Sequence, residues 1–222
     1  VPATREKALT EHEFELLLEG ANRICHTERR LEARATILLG GRLGLRPGEV
    51  THLSNSWIDW DREMIHIPEH HICQKGQNGG LCGYCRQAVE QRLRHGADES
   101  FEELADRYWL PKTPAAVRSV PFHFSSRVRV TLELLSNTHD GWPYSFSTLQ
   151  RRVETALEAA PRLPTDATSP HGLRATAASY HAGRGLDLTA LRAMFGWEDL
   201  KTARQYLNVD GAMTRRALSA IH

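Results

Sequence analysis

Four short stretches of this 222-residue chain hold side chains that can grip an anion, move a proton or form a covalent bond. Leu43-Gly44-Leu45-Arg46-Pro47-Gly48-Glu49-Val50 sets Arg46 at a turn just ahead of a helix. Lys112, in Pro111-Lys112-Thr113 ahead of Arg118-Ser119-Val120-Pro121, falls at the tip of a predicted hairpin. His171-Gly172-Leu173-Arg174 opens a helix and puts His171 and Arg174 on one face of it. Phe195-Gly196-Trp197 is followed by Lys201-Thr202 and then Tyr206. A guanidinium is a planar, permanently charged fork that matches paired anionic oxygens. An imidazole exchanges protons near neutrality. A phenol, with a pKa near ~10, attacks only if nearby charge stabilises the phenolate or a base takes its proton. Taken singly, each piece has an ordinary explanation: a surface cap, a solvated charge, a hydrogen-bonded helix pair, a core aromatic.

Taken together and in this order, the pieces resemble the catalytic domain of the tyrosine recombinase (phage integrase) family, of archaeal or phage type. That family's pattern is an Arg in a Gly-x-Arg-x-x-Glu box, a Lys in a β-turn, a His-x-x-Arg box, then Gly-His or Gly-Trp with a Tyr nine residues on. Gly44-Leu45-Arg46-Pro47-Gly48-Glu49, Lys112, His171 to Arg174, and Trp197 to Tyr206 match it, so the resemblance runs from 46 to 206. It implies a site-specific DNA recombinase (integrase) that cuts and rejoins strands through a covalent 3′-phosphotyrosine at Tyr206, with neither metal nor ATP in the chemistry. Arg46 and Arg174 would bind the non-bridging oxygens. His171 would do proton work or position the phosphate, and Lys112 would protonate the leaving 5′-oxygen. Trp197 stands where many relatives have His; its indole N–H can donate to a phosphate oxygen but cannot transfer a proton. Glu49 would orient its neighbours. Duplex DNA carrying a specific site is the expected partner. A homo-tetramer, built by exchange of a C-terminal segment around Met213–Ile221, is the expected assembly. The alternatives are a type IB topoisomerase and a DNA-binding protein with an idle active site.

A second constellation lies between 69 and 108, a stretch unlike its surroundings. His70-x2-Cys73 and Cys82-x2-Cys85 form two ligand pairs with turn-compatible spacing, and Gly76, Gly79, Gly80 and Gly83 let the loops wrap. A structural zinc held by His70, Cys73, Cys82 and Cys85 is the expectation, with His71 or His95 as substitutes for His70. Free thiols are the competing reading. A zinc-dependent hydrolase is disfavoured, because four protein ligands leave no open position. Cys25, far off in sequence, is expected to be a small buried residue.

The elements that must position these groups follow from the pattern. Thr10 with Glu13 makes a capping box before Phe14–Leu18. Leu31–Leu39 continues as a largely buried helix ending near Gly40-Gly41, and Glu49–Leu53 is the next short helix. Trp57–Trp60 and Met64–Pro68 read as a hairpin, and Val117–Phe122 as a further strand. The stretch 69–108 is then an insertion between two strands of one small sheet. From Ser125 the periodicity is helical: Val128–Leu135, Ser147–Ala160, Gly172–Ala182, Asp187–Phe195, Leu200–Tyr206 and Ala212–Ile221. The fold class expected is mainly α with a small antiparallel β-sheet (α+β), one catalytic domain spanning 1–222, similar to the DNA breaking-rejoining fold.

Composition limits the rest. Hydrophobic residues make up 41% and charged residues 25%, enough for a core and ordinary for a globular domain. Net charge is only +1, so any DNA-binding face must come from the distribution of charge and not from its sum. No apolar run reaches the ~20 residues of a membrane span, and the start has no signal-peptide core, so a cytoplasmic protein with no membrane partner is expected; the resemblance to DNA recombinases implies that it is nucleoid-associated. The chain begins at Val1 and not Met; the expectation is a longer polypeptide in which an N-terminal, core-binding DNA domain precedes it.

Overall fold

The computed structural model describes residues 7–206. Its elements, in order, are α1 (Glu11–Asn22), α2 (Thr27–Gly41), α3 (Pro47–His52), β1 (Ile58–Asp59), β2 (Met64–Ile67), α4 (Gly83–Arg94), α5 (Phe101–Ala105), β3 (Arg118–Pro121), α6 (Ser126–Thr138), α7 (Phe146–Ala159), α8 (Pro170–Gly183), α9 (Leu188–Phe195) and α10 (Leu200–Arg204). The fold is mainly helical with one small sheet, as the pattern predicts. The helix anticipated at Ala212–Ile221 lies outside the described residues.

The centre is α2. Ala33, Ala35, Ile37, Leu38 and Leu39 point in several directions around it and are all buried, because α1, α6, α7 and α8 surround it. The half of α2 from Ala35 to Gly41, buried on every side, must sit inside a bundle. The start of α1 follows its capping box: Thr10 accepts from the Glu13 amide while the Glu13 carboxylate accepts from the Thr10 amide at 2.8 Å. Asp187 caps α9 by accepting from the amides of Thr189 and Ala190. That helix stops at Gly196, whose left-handed backbone (φ +57°) turns the chain toward Trp197.

The sheet is antiparallel in the order β1-β2-β3, with Ile58 opposite Ile65 and Ile65 opposite Val120. It is shorter at its first strand than the sequence pattern suggests, because Asn55–Trp57 form a 3-10 turn. Between β2 and β3 the chain makes a long detour carrying α4 and α5. The detour leaves and returns side by side: the His71 amide donates to Trp109 O, the Trp109 amide to His71 O, and the Cys73 amide to Tyr108 O. Lys112 therefore stands on the returning arm of this detour and not at the tip of a tight β2–β3 hairpin, which the intervening residues preclude. Cys25 also departs from expectation. It is exposed, since it falls in the short link between α1 and α2 and not on a packed face.

Candidate active site

Two helix starts and one helix end converge here. Arg46 is the N-cap of α3, with Pro47 at the first helical position, where its missing N–H costs nothing. His171 and Arg174 lie in the first turns of α8, after the N-cap Ser169 and Pro170. The C-terminal turn of α9 supplies acceptors: Arg46 Nη2 donates to Gly196 O at 2.7 Å, while Arg174 donates to Phe195 O and to Gly44 O. The two guanidiniums thus rest on consecutive carbonyls of one turn. These bonds, with the one from Arg46 to Glu49, account for two of the five N–H donors on each guanidinium.

Close approach explains two glycines. Gly44 has φ +66°, and a Cβ there would lie 2.3 Å from the Phe195 ring; at Gly196 it would lie 2.6 Å from Ala115 O. Any side chain would push apart the segments whose carbonyls hold the arginines.

Glu49 is the anchor. It is 1% exposed, accepts from the Arg46 amide at 2.7 Å and from Arg46 Nη1 at 2.8 Å, and is gripped by both Nη atoms of Arg118 at 2.7 and 2.9 Å. Burial alone would raise its pKa, but the charge and hydrogen bonds of Arg118, then Arg174 and Arg46, hold the carboxyl down to about 2. Arg174 is the mirror case. Burial, and next the repulsion of Arg46, lower its pKa to about 9, so it stays cationic at neutral pH but is short of negative charge. Three guanidiniums facing one carboxylate leave this cluster with two positive charges in excess, which an anion would balance.

A cleft of about 350 Å³ opens beside the cluster, lined by Arg46, Glu49, Lys112 and His171 together with Tyr84, Trp109 and Phe146. His171 lies at its rim; burial, then the charges of Lys112 and Arg174, lower its pKa, so the ring is neutral at neutral pH and able to accept a proton. Trp197 is packed between Phe195 (4.8 Å between ring centres) and Tyr206 (5.4 Å, planes 4° apart). Arg174 lies 5.7 Å over the Trp197 ring, and the Tyr206 phenol is near enough to raise the Arg174 pKa electrostatically. Arg46, Lys112, His171, Arg174, Trp197 and Tyr206, scattered over the sequence, are therefore gathered in one region.

Arg118 is the member that sequence reasoning passed over. Its signal was parity: in a strand it shares a face with buried Val120, and an inward arginine needs a buried acid.

Against one wall of the cleft lies a second cluster, His52, Cys73, Cys82 and Cys85, all buried, with ligand atoms all within 4.8 Å of one another. Such a group could hold a metal ion. The histidine in it is His52 of α3 and not His70. Strand-like alternation over 70–73 turns His71 and Cys73 to one side and leaves His70 exposed on the other. His71 stands edge-on to Trp57 at 5.4 Å, and His95 is exposed at the end of α4; neither joins the thiols.

The sequence profile of the phage integrase family matches residues 7–213. Tyrosine recombinase XerC of Mesorhizobium japonicum is 30% identical over 120 residues, covering 51% of this chain but only 36% of that protein. The fold is similar to that of the Tn1549 transposon integrase in complex with transposon right end DNA (TM-score 0.62, 17% identity, 95% of this chain and 64% of that one). It is also similar to XerA recombinase (TM-score 0.58, 16% identity, 97% of this chain and 65% of that one). This chain thus spans about a third of the curated relative and under two thirds of these two solved chains.

Proposed function

The chain belongs to the phage integrase family, and from that premise we propose that it is the catalytic portion of a site-specific DNA recombinase working through a covalent 3′-phosphotyrosine. The observation that carries this reading is the seating of Arg46 and Arg174 on consecutive carbonyls, next to a cleft lined by Arg46, Lys112 and His171. The scissile phosphate occupies that cleft. Arg46 and Arg174 donate to its non-bridging oxygens, on which charge builds as phosphorus becomes five-coordinate. The N-terminus of α8 adds a favourable dipole.

Tyr206 Oη attacks phosphorus, and its proton passes to neutral His171 or to water. The bond from phosphorus to the 5′-oxygen breaks, and the Lys112 ammonium gives that oxygen a proton. The Trp197 indole N–H donates to the phosphate without moving a proton. Glu49 and Arg118 give nothing to the phosphate: Glu49 holds Arg46 in place, and Arg118 holds Glu49. The ester to Tyr206 keeps the energy of the broken bond, so attack by a 5′-hydroxyl of another strand reverses the step and completes exchange without ATP. No metal enters the chemistry.

The partners that go with this reading are duplex DNA bearing a recombination site and further copies of the chain, four per synapse, acting at the nucleoid in the cytoplasm. Among the described residues no helix is long and apolar enough to cross a membrane. The segment Met213–Ile221, proposed to dock on a neighbouring copy, lies outside the described residues.

A nicked suicide substrate carrying the cognate site tests the proposal. The expected result is an SDS-resistant protein–DNA adduct that forms on the protein as isolated without any added divalent metal and is lost in Tyr206→Phe. An adduct that survives that substitution, or one that needs magnesium, overturns it.

A further inference from the structure

We propose that His52, Cys73, Cys82 and Cys85 bind one zinc ion, and that this ion fastens the 69–108 insertion to the helix carrying Arg46 and Glu49. The donor geometry fits. In a tetrahedron with Zn–N and Zn–S bonds of about 2.0 and 2.3 Å, N···S edges are about 3.5 Å. His52 Nε2 lies 3.2 Å from Cys85 Sγ and 3.7 Å from Cys82 Sγ. The other ring nitrogen, Nδ1, is 2.8 Å from Gly48 O, which fixes it as the protonated one and turns the Nε2 lone pair toward the thiols. Amide donors support the sulfurs, Cys82 N to Cys73 Sγ at 3.4 Å and Cys85 N to Cys82 Sγ at 3.5 Å. An odd number of buried thiols leaves one over from any disulfide, whereas three thiolates and one imidazole complete a zinc shell. Three thiolates around a divalent ion leave one negative charge, and the Lys75 ammonium is held alongside by the carbonyls of Thr51 and Trp142.

What the ion connects matters as much as what holds it. His52 ends α3, the helix that Arg46 opens, and Gly48, whose carbonyl accepts from His52 Nδ1, adjoins Glu49. The His52 ring stacks on Trp109 at 5.3 Å and 15°, and Lys112 follows Trp109 after only Leu110 and Pro111. One ion therefore pins both the arginine and the lysine walls of the cleft. This second half rests on the catalytic reading of Arg46 and Lys112; the metal site itself does not.

The test uses the whole chain. Elemental analysis should find about one zinc per chain. Cobalt exchanged into the site should show thiolate charge-transfer absorption and the intense visible bands of tetrahedral cobalt. His52→Cys should keep the metal as a tetrathiolate, and His52→Ala should lose most of it. Removing the ion from the wild-type protein with a strong chelator should speed amide exchange at 46–53 but not in the middle of α8. It should also slow adduct formation about 10- to 100-fold, with recovery on adding zinc. Absence of bound zinc and of the cobalt bands in wild-type protein overturns the site, whatever the variants do. Exchange at 46–53 that ignores the ion overturns the fastening. If zinc and exchange behave as expected while no adduct forms in any sample, it is the recombinase reading that fails and the metal site stands.

Discussion

Glu49 decides how Arg46 and Arg118 stand. A buried carboxylate left alone would cost several kcal/mol, and here the cost is offset by Arg118 from one side and Arg46 from the other. Because its folded pKa of about 2 lies below the ordinary value of 4.5, the unfolded chain takes up a proton first as the solution is acidified. The stabilisation, about 3 kcal/mol from that shift, is complete above the ordinary value and is lost as pH falls toward 2. Glu49→Gln should therefore weaken the fold at neutral pH and flatten the acid limb of stability, measured by urea unfolding from pH 7 down to about 3. Identical acid limbs in the two proteins would remove Glu49 from that role. That Arg46, Arg174 and Tyr206 lie in one region agrees with the family pattern that spaces them in sequence. Arg118 left only the parity of its strand as a signal and His52 left none, since each answers a partner distant in the chain, Glu49 in one case and the thiols in the other.

At the level of elements, the caps were readable and one of them was overlooked. Thr10 and Glu13 announced α1, and Ser100 with Glu103 forms the same box at the start of α5, a short helix absent from the sequence-based reading. Most helix bounds shifted by one to three residues, as fraying ends do. The turns were harder. That Gly44 and Gly196 bring α2, α9 and the strand region together is visible only in three dimensions, because the constraint is the proximity of Phe195 and Ala115. Gly44→Ala should cost about 1–3 kcal/mol through its left-handed backbone alone, before the Phe195 clash is counted. It should also depress adduct formation under conditions where the variant remains folded. Wild-type stability and activity in Gly44→Ala would show that the close approach has no consequence.

Across the whole molecule, the insertion is not a separate unit. Cys73, Cys85, Val89, Leu104, Tyr108 and Trp109 belong to the same apolar cluster as Leu38, Ile65 and Phe122. Calorimetry should accordingly show one cooperative unfolding transition, and a chelator should move that transition as a whole. A separate early transition assigned to 69–108 would contradict a shared core. The class of fold was plain in the sequence from its long helical run and single small sheet. The anchorage of the insertion was not, because its histidine comes from outside it. The backbone pairing of His71 with Trp109 has one more implication. The two ends of the detour already meet, so a chain that turned back at that point would leave β2 and β3 in the same register. The sheet is the trunk and the cysteine-bearing segment a graft upon it, one that could lengthen, shrink or change its outer face without bending what it grew from. Pruning it altogether would still leave a scar, a histidine deep in the interior with nothing left to bind.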